Sequence, residues 1–323
     1  MQSGDLGAIN LIIGPNQSGK TFVLKALYSA LKTVEQYKRG KEIRTDKEIL
    51  SDKLYWTFQS SELGNIVRKG ENSMSFTMTS EDNEEFTYSF GPSTVKQANI
   101  DKNTFLPRSS NTVFIPAKEI WSIRDIIIEA KEDNRFGFEE PYSDLAKALS
   151  RTQKGKNFDS FVQARDIVSS MVGGRLEYNE DKKEWQFQDN DRRIYEISTT
   201  SEGVKKLSIL DLLLGNRYLD NHSIIIIDEI EANLHPSMIA QFLDAIFKLA
   251  ESGVQFFISS HSYFVIKRLY ILAHRNALTI PVLSFDKGQC TVSDLKVEMP
   301  QNPIIDESIA LYKDEISLWL WSL

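Results

Sequence analysis

The chain has 323 residues and a formal net charge of −7 at pH 7, with 41% hydrophobic and 26% charged residues. This composition is typical of a globular protein, and the length allows two lobes or domains. The acidic balance disfavours a surface that coats nucleic acid indiscriminately, but it is compatible with a local basic patch.

The sequence also excludes several kinds of site and segment. Cys290 is the single cysteine, so the chain forms no intrachain disulfide and no thiolate cluster for a metal. We expect it to be a small buried residue. No apolar stretch approaches the roughly 18 residues of a membrane span, and the first residues lack a basic-then-apolar signal pattern. We therefore expect a cytoplasmic protein with no membrane partner.

The first predicted element is a short buried strand at residues 9–13, which leads into the sequence GPNQSGKT. This sequence matches G-x-x-x-x-G-K-[ST], with Gly14, Gly19, Lys20 and Thr21 at the defining positions. The glycines let backbone N–H groups surround a phosphate at the N-terminus of the following helix. Lys20 reaches the β- and γ-phosphates, and the Thr21 hydroxyl ligates Mg²⁺. Because a strand precedes it and a helix follows, the segment is predicted to bind a nucleotide rather than to be a chance glycine-rich turn.

The next elements are a helix at 22–37 and a cluster of basic residues between 38 and 47. A solvated helix end and a DNA-facing patch both explain this cluster, and the first is favoured because cations are stabilised at helix C-termini. Alternation of apolar and polar residues from 54 to 90 predicts antiparallel strands with polar turns. Residues 111–117 predict a buried strand.

The middle of the chain reads as helices followed by a small antiparallel meander. Helical patterns cover 120–130, 143–149 and 158–172, and a meander of three strands is predicted within 175–197. The later elements are predicted as helix 201–214 with Gly215 as its C-cap, strand 223–227, helix 236–250, strand 254–259, hairpin 282–296 with its turn near 287–288, and helix 306–323. Strands that alternate with helices around a phosphate loop indicate a mainly parallel sheet with helices on both faces.

Acidic residues follow the apolar run of four isoleucines at 224–227. Asp228 is placed to hold the Mg²⁺ shell, and Glu229 is placed to polarise an attacking water. His261 follows the next strand, and at that sheet edge we expect it to contact the γ-phosphate. His222 and His274 are expected to be structural, and no histidine spacing typical of zinc is present.

Four segments in order, GPNQSGKT, TSEGVKK, IIIIDEIEANLHP and ISSHS, resemble the ABC-type ATPase heads of the SMC, RecF and OLD families. The chain is most similar to the small stand-alone AAA-family ATPases of bacterial antiphage systems, the group that contains the Septu ATPase. The resemblance implies an α/β P-loop NTPase of ABC-ATPase head type, with an antiparallel β subdomain and a helical insert. It divides the chain into a first part of the ATPase lobe at 1–118, an insert at 119–196 and a second part at 197–323.

The resemblance also assigns roles by position. Glu229 resembles the catalytic base and His261 the switch histidine, while Thr21 and Asp228 are expected to ligate the metal. Residues 231–236 resemble the D-loop at a dimer seam. Nucleotide contacts are expected from Gly14, Asn16, Ser18, Gly19, Lys20, Thr21, Ser201, Gly203 and Asn233.

Three departures from the family pattern stand out. The signature, usually LSGGQ, keeps only Ser201 and Gly203, which are expected to present a hydroxyl and an N–H outward to an anion. The position of the Q-loop reads FIPAKE at 114–119, without glutamine, so that Lys118 or Glu119 is left to serve. The usual first strand, which reads like K-N-F-x-x-F, has no counterpart.

The resemblance implies a slow ATPase that uses ATP and Mg²⁺ and forms a homodimer or a higher even oligomer. Its dimerisation would regulate a separately encoded effector, such as a nuclease, in antiphage defence. Two alternatives remain open, a RecF- or SMC-like repair ATPase that clamps DNA and a nucleotide sensor with little turnover. The acidic clusters of a Toprim nuclease are not evident, so we do not expect this chain to cut DNA by itself. A transporter ATPase is disfavoured by the irregular insert and the altered signature.

Overall fold

The structure, a computed structural model, describes residues 4–151, 159–179, 181–182 and 184–320. The predicted helical residues Phe158 and 321–323 lie outside these ranges. The strands are β1 (Ile9–Ile13), β2 (Met74–Thr79), β3 (Glu85–Phe90), β4 (Asn99–Asn103), β5 (Thr112–Ile115), β6 (Gly174–Asn179), β7 (Glu184–Asp189), β8 (Ile194–Glu196), β9 (Ile224–Ile227), β10 (Gln255–Ser260), β11 (Pro281–Asp286) and β12 (Gln289–Asp294).

Nine α-helices of the described residues alternate with these strands or follow them along the chain. They are α1 (Lys20–Gln36), α2 (Asp46–Phe58), α3 (Arg124–Glu132), α4 (Glu140–Leu149), α5 (Asp159–Val172), α6 (Glu202–Gly215), α7 (Pro236–Glu251), α8 (Tyr263–Arg275) and α9 (Pro303–Leu320). Within the described ranges, no helix combines the length and the apolar character that crossing a membrane requires.

The main sheet has six strands in the order β12-β11-β1-β10-β9-β5. Five of them are mutually parallel, and β12 is an antiparallel edge strand. The strands β1, β5 and β9 are buried along their whole length. Apart from Asn10 in β1 and Thr112 in β5, their residues are apolar, as is typical of strands that helices cover on both faces. The predicted mainly parallel sheet is confirmed.

Alternate residues of the central strands enter two different cores. In β9, Ile225 and Ile227 pack among residues of α5 to α8, whereas Ile224 and Ile226 pack against α1. This division follows from the two-residue period of a strand, which sends successive side chains to opposite faces. The sheet therefore lies between two layers of helices, and the loops that follow its parallel strands lie at its carboxyl edge.

Two small antiparallel sheets complete the fold. The sheet β2-β3-β4 packs on α1 and α2 through a core that includes Leu50, Leu54, Phe86 and Tyr88, and β6-β7-β8 follows the helical insert. These are the antiparallel subdomain and the meander that the sequence predicts. The meander follows helix α5, which packs on α6 and α7.

The structure corrects the prediction of strands from residue 54 onward, because residues 54–58 are the end of α2. Thr45 caps this helix by accepting a hydrogen bond from the Glu48 N–H, and the Glu48 carboxylate accepts one from the Thr45 N–H. This capping box marks a helix start. The aromatic residues Tyr55 and Trp56 favour a strand by local propensity, but burial of the helix face decides the outcome.

Smaller differences occur near the ends of elements. Gly215 is the last helical residue of α6, and Asn216 is its C-cap. Cys290 is only partly buried, because it lies on the edge strand β12, where one side has no neighbouring strand. Helix α8 and strand β4 are not among the predicted elements.

Candidate functional site

The loop between β1 and α1 (residues 14–21, the P-loop) forms a cradle whose shape depends on its two glycines. A Cβ on Gly14 would lie 2.6 Å from both the Phe285 carbonyl oxygen and the Ser18 Oγ. Gly19 has a φ of 101°, which side-chain-bearing residues rarely adopt. The loop and the neighbouring Glu229 line a cavity of about 400 Å³. The cradle therefore has the shape that the motif predicts.

Lys20 begins α1 and folds back over the loop. Its Nζ donates hydrogen bonds to the Gly14 carbonyl at 2.7 Å and to the Pro15 carbonyl at 2.9 Å. Burial lowers the pKa of Lys20, while the charges of Glu229, Asp228 and Glu231 oppose this shift. A desolvated ammonium at the base of a cavity is suited to an anionic ligand such as a polyphosphate.

Thr21 and Asp228 meet at the carboxyl edge of the sheet. The Thr21 Oγ1 donates to Asp228, with distances of 2.9 Å to Oδ2 and 3.2 Å to Oδ1. The fully buried Ser259 donates its hydroxyl to Asp228 Oδ1 at 2.5 Å. A hydroxyl and a carboxylate are the oxygen ligands with which Mg²⁺ is bound beside substrate phosphates. These residues fit the predicted metal position.

Glu229 is held by its backbone while its side chain is 37% exposed and borders the cavity. Its φ of 47° lies in the left-handed region, which is costly for a residue other than glycine. Its N–H donates to the Ser259 Oγ at 2.8 Å. Its carbonyl accepts from the Ala232 N–H at 2.9 Å and from the Lys206 Nζ at 2.6 Å.

Lys206 and Ser259 are site residues that the sequence analysis missed. Ser259 could have been found from strand ends, because β10 pairs with β9 in parallel and Ile258 is opposite Ile227, one residue before Asp228. Lys206 has no such signal, since its position depends on how α6 packs. Burial lowers the pKa of Lys206 to about 8, and Glu231, Asp228 and Glu229 oppose this shift.

His261 lies beside two carboxylates. Its Nδ1 is 3.2 Å from Glu231 Oε1 and 3.9 Å from Glu229 Oε1. Its backbone N–H donates to the same Glu231 oxygen at 2.8 Å. The other oxygen of Glu231, Oε2, is buried with no hydrogen-bond partner among the residues that the structure describes. The structure therefore places the predicted switch histidine beside the predicted base, and Glu229 borders the P-loop cavity.

Three predicted nucleotide contacts, Ser201, Gly203 and Asn233, lie outside the P-loop cavity. Ser201 is exposed and caps α6 by accepting from the Val204 N–H at 3.4 Å. Gly203 is buried, and a Cβ on it would lie 2.9 Å from the Asn233 carbonyl oxygen. Neither Ser201, Gly203 nor the exposed Asn233 lines the P-loop cavity.

A second, smaller pocket lies beside these residues. Lys118 and Glu119, the candidate Q-loop positions, line it together with Glu202, Lys206 and Asn233. The predicted contacts therefore form two groups within one chain. One is the P-loop with the carboxylates that follow β9 (residues 228–231, the acidic edge). The other is the start of α6 with the residues around it.

Solved structures of SMC heads and of an ABC-transporter cassette match most of the chain at low sequence identity. A crystal structure of the SmcHead bound to the C-winged helix domain of ScpA is 15% identical, with 90% of each chain covered and a TM-score of 0.50. A second Smc head domain, with an extended coiled coil and bound to a ScpA domain derived from Pyrococcus furiosus, is 12% identical over 96% of this chain and 94% of that chain, with a TM-score of 0.47. An ATP-binding cassette of an ABC transporter in the ADP conformation is 12% identical over 90% and 82%, with a TM-score of 0.36.

The first of these similarities supports the ABC/SMC-like P-loop fold. No curated protein sequence matches the chain significantly. A family model does match, over residues 9–267, and is described as "AAA domain, putative AbiEii toxin, Type IV TA system". The matched range contains the P-loop, the acidic edge and His261. The chain therefore belongs to this AAA-domain family and carries its nucleotide-binding P-loop.

Proposed function

We propose that the protein is a slow Mg²⁺-dependent ATPase whose nucleotide-dependent dimerisation regulates a separately encoded effector, such as a nuclease, in antiphage defence. The observation that carries the ATPase proposal is the convergence of Lys20, Thr21, Asp228 and Glu229 on one cavity edge. The defence role is supported by the order of motifs, which resembles the stand-alone ATPases of antiphage systems.

We infer a task for each of these side chains. Lys20 neutralises charge on the β- and γ-phosphates, and Glu229 accepts a proton from the attacking water. Thr21 and Asp228 would hold Mg²⁺, which supplies charge neutralisation on the phosphates when bound. His261, which lies between Glu229 and Glu231, orients the base and contacts the γ-phosphate.

Three variants test this proposal by separating binding from turnover. Lys20→Ala should abolish tight Mg²⁺–ATP binding in calorimetry, whereas Glu229→Gln should bind normally and hydrolyse ATP about 10²-fold more slowly. His261→Ala should lower turnover with less effect on binding. Unchanged affinity in Lys20→Ala would contradict the nucleotide site, and a parental rate in Glu229→Gln would place the base elsewhere.

The dimer proposal is supported by the separation of Ser201 from the P-loop cavity of its own chain. A second subunit would bring its nucleotide to Ser201 and Gly203, so that two-fold symmetry creates two shared sites. The side chains of Asp228, Glu229 and Glu231 would face the second subunit. They would repel its acidic residues until the phosphates and the metal connect the two chains.

Mixing a Lys20→Ala chain with a Ser201→Arg chain tests the shared site. Each mixed dimer should regain one intact site and part of the ATPase activity. If mixed dimers form and remain as inactive as either parent variant, the shared-site proposal is wrong.

A DNA clamp is the second candidate function, and the basic cluster at 38–47 is its sequence support. Two of its arginines are already paired: Arg39 contacts Glu35, and Arg44 contacts Glu42 and Asp52. These pairs favour a solvated helix end. The Smc head in the similar crystal structure is bound to a protein partner, ScpA, which is the type of assembly that the effector proposal requires. ATP-dependent retention of a DNA circle would instead support the clamp.

A further inference from the structure

We propose that Lys206 is a positioning residue for catalysis: by holding the Glu229 carbonyl, it couples the start of α6 to the placement of the base. This inference rests on the proposed ATPase function. Lys206 belongs neither to the P-loop motif nor to the acidic pair Asp228–Glu229.

The contact of Lys206 with the acidic loop (residues 228–234) is direct. Its Nζ donates to the Glu229 carbonyl at 2.6 Å and approaches the Ala232 carbonyl at 3.5 Å. Lys206 is only 5% exposed. A buried ammonium is costly unless it is paired, and here the carboxylates of Asp228, Glu229 and Glu231 are near enough to attract it.

The backbone of Glu229 needs such support because it is strained. With a φ of 47°, the residue is stable only where surrounding groups hold it. Ser259 of β10 holds its N–H, and Lys206 of α6 holds its carbonyl together with the turn bond from Ala232. Both backbone groups are thereby fixed from two separate elements, and the carboxylate remains free to face the cavity.

A second contact joins the same helix to the same loop. Gly203 lies so close to the acidic loop that a Cβ on it would be 2.9 Å from the Asn233 carbonyl oxygen. Together, Gly203 and Lys206 attach the first two turns of α6 to residues 229–233. Ser201 caps this helix, so a displacement of the helix start, where a second subunit would bind, is transmitted to Glu229.

Lys205 provides a matched control for this proposal. It is the neighbouring residue of α6, and its side chain is 3% exposed. Its ammonium donates to Ser122 and Glu202 instead of to the acidic loop. Lys205→Met and Lys206→Met therefore each remove one buried ammonium from the same helix, but only the second releases Glu229.

The experiment measures kcat, Mg²⁺–ATP affinity and Tm for both variants. We expect Lys206→Met to lower kcat about tenfold or more, the scale of one lost charge-assisted hydrogen bond. Its ATP affinity should stay within about threefold of the parent and its Tm should match that of Lys205→Met, since the two lose similar packing. Lys206→Arg should recover much of the lost rate because it restores a cationic donor.

A double variant identifies the route of the effect. In a Glu229→Gln background, Lys206→Met should cause little further loss, because both changes act through the same carboxylate. A parental kcat in Lys206→Met, an equal loss in Lys205→Met, or a full additional loss in the double variant would each overturn the proposal.

A second pair of variants covers a failure to fold, and the parental chain tests the ATPase proposal by itself. If Lys206→Met does not fold, the comparison of Lys206→Gln with Lys205→Gln replaces it, and equal kcat values in that pair overturn the proposal. If the parental chain neither binds nor hydrolyses ATP, the proposed function itself is wrong. If the parental chain hydrolyses ATP and Glu229→Gln does not, the Lys206 variants test this inference alone.

Discussion

Two polar regions lie along helix α1, and they differ in how completely their groups are paired. The P-loop lies at the N-terminus of the helix. Farther along, Tyr28 enters an ionic cluster with Lys53, Glu140 and Asp144, which joins α1 to α2 and α4. In this cluster, the Tyr28 hydroxyl donates to Asp144 at 2.5 Å, and Lys53 donates to Glu140 at 2.7 Å and to Asp144 at 3.2 Å.

The P-loop and its acidic edge are less completely paired. Within the described part of the chain, Ser18 Oγ and Glu231 Oε2 are buried without hydrogen-bond partners, and Glu229 and Asn233 both have positive φ angles. Unpaired buried groups and strained backbone are unfavourable for stability and are concentrated at functional sites. Buried charge therefore has two uses in this protein: the ionic cluster holds three helices together, whereas the edge of the sheet keeps its groups available to a ligand.

The largest effect on stability is expected from Asp144→Ala. This change leaves Tyr28 and part of the Lys53 charge without a partner in a buried setting, so the free energy of unfolding should fall by about 3 kcal/mol. Urea unfolding measures it, and Mg²⁺–ATP affinity should change little. Asp125→Ala is the control, because Asp125 pairs with Arg124 at the surface with its side chain 75% exposed. Equal stability of the two variants would contradict the assigned role of the cluster.

Asp228→Asn should show the opposite pattern. Mg²⁺–ATP affinity should fall about 10²-fold because the proposed metal ligand loses its charge, whereas ATP affinity in EDTA should be unchanged. Tm should change little, since an amide oxygen still accepts from Thr21 and Ser259. The control is Asp244→Asn, because the Asp244 carboxylate on α7 pairs with Arg268 on α8. An equal loss of affinity with and without metal would contradict metal ligation.

Acid should weaken the ionic cluster selectively. The Lys53 ammonium and the hydrogen bonds from Tyr28 and Lys53 hold the pKa of Asp144 well below its usual range, despite burial, which acts in the opposite direction. Its stabilisation is therefore fully present above the unfolded-state pKa of about 4 and is lost as pH falls further toward the folded-state pKa. The stability difference between the parent and Asp144→Ala should shrink by about 1 kcal/mol between pH 4 and pH 3. A difference that stays constant in urea unfolding at these two pH values would contradict this assignment.

The smallest effect is expected from Ser18→Ala. Its hydroxyl makes no hydrogen bond within the described protein, so unfolding free energy should stay within about 0.5 kcal/mol of the parent. ATP affinity should fall a few-fold if this hydroxyl contacts phosphate. Thr57→Val serves as control, because Thr57 Oγ1 is also buried and unpartnered but lies on α2. A marked loss of stability in Ser18→Ala would show that its hydroxyl supports the loop itself.

The parts of the site that the sequence predicts are those whose residues are close together in the chain. Gly14 to Thr21 and Asp228–Glu229 are each contiguous, and the apolar strands before them mark the edge where they meet. Lys206 was missed because its role arises from the packing of α6, whereas Ser259 could have been found from the ends of the paired strands β9 and β10. Helix α2 was missed for a related reason: Tyr55 and Trp56 favour a strand locally, and the tertiary environment overrides that preference.

The position of β1 in the main sheet also determines when the nucleotide site can form. The neighbours of β1 are β10 and β11, so the strand that precedes the P-loop pairs only with residues beyond 254. Strand β5 pairs with β9 and does not touch β1. During synthesis, the first two hundred residues therefore contain the complete P-loop sequence but no partner for its strand. Because the pairings span the chain, folding is expected to be slow and to depend on late-synthesised segments. A ribosome-bound chain should gain ATP binding only after β11 has emerged.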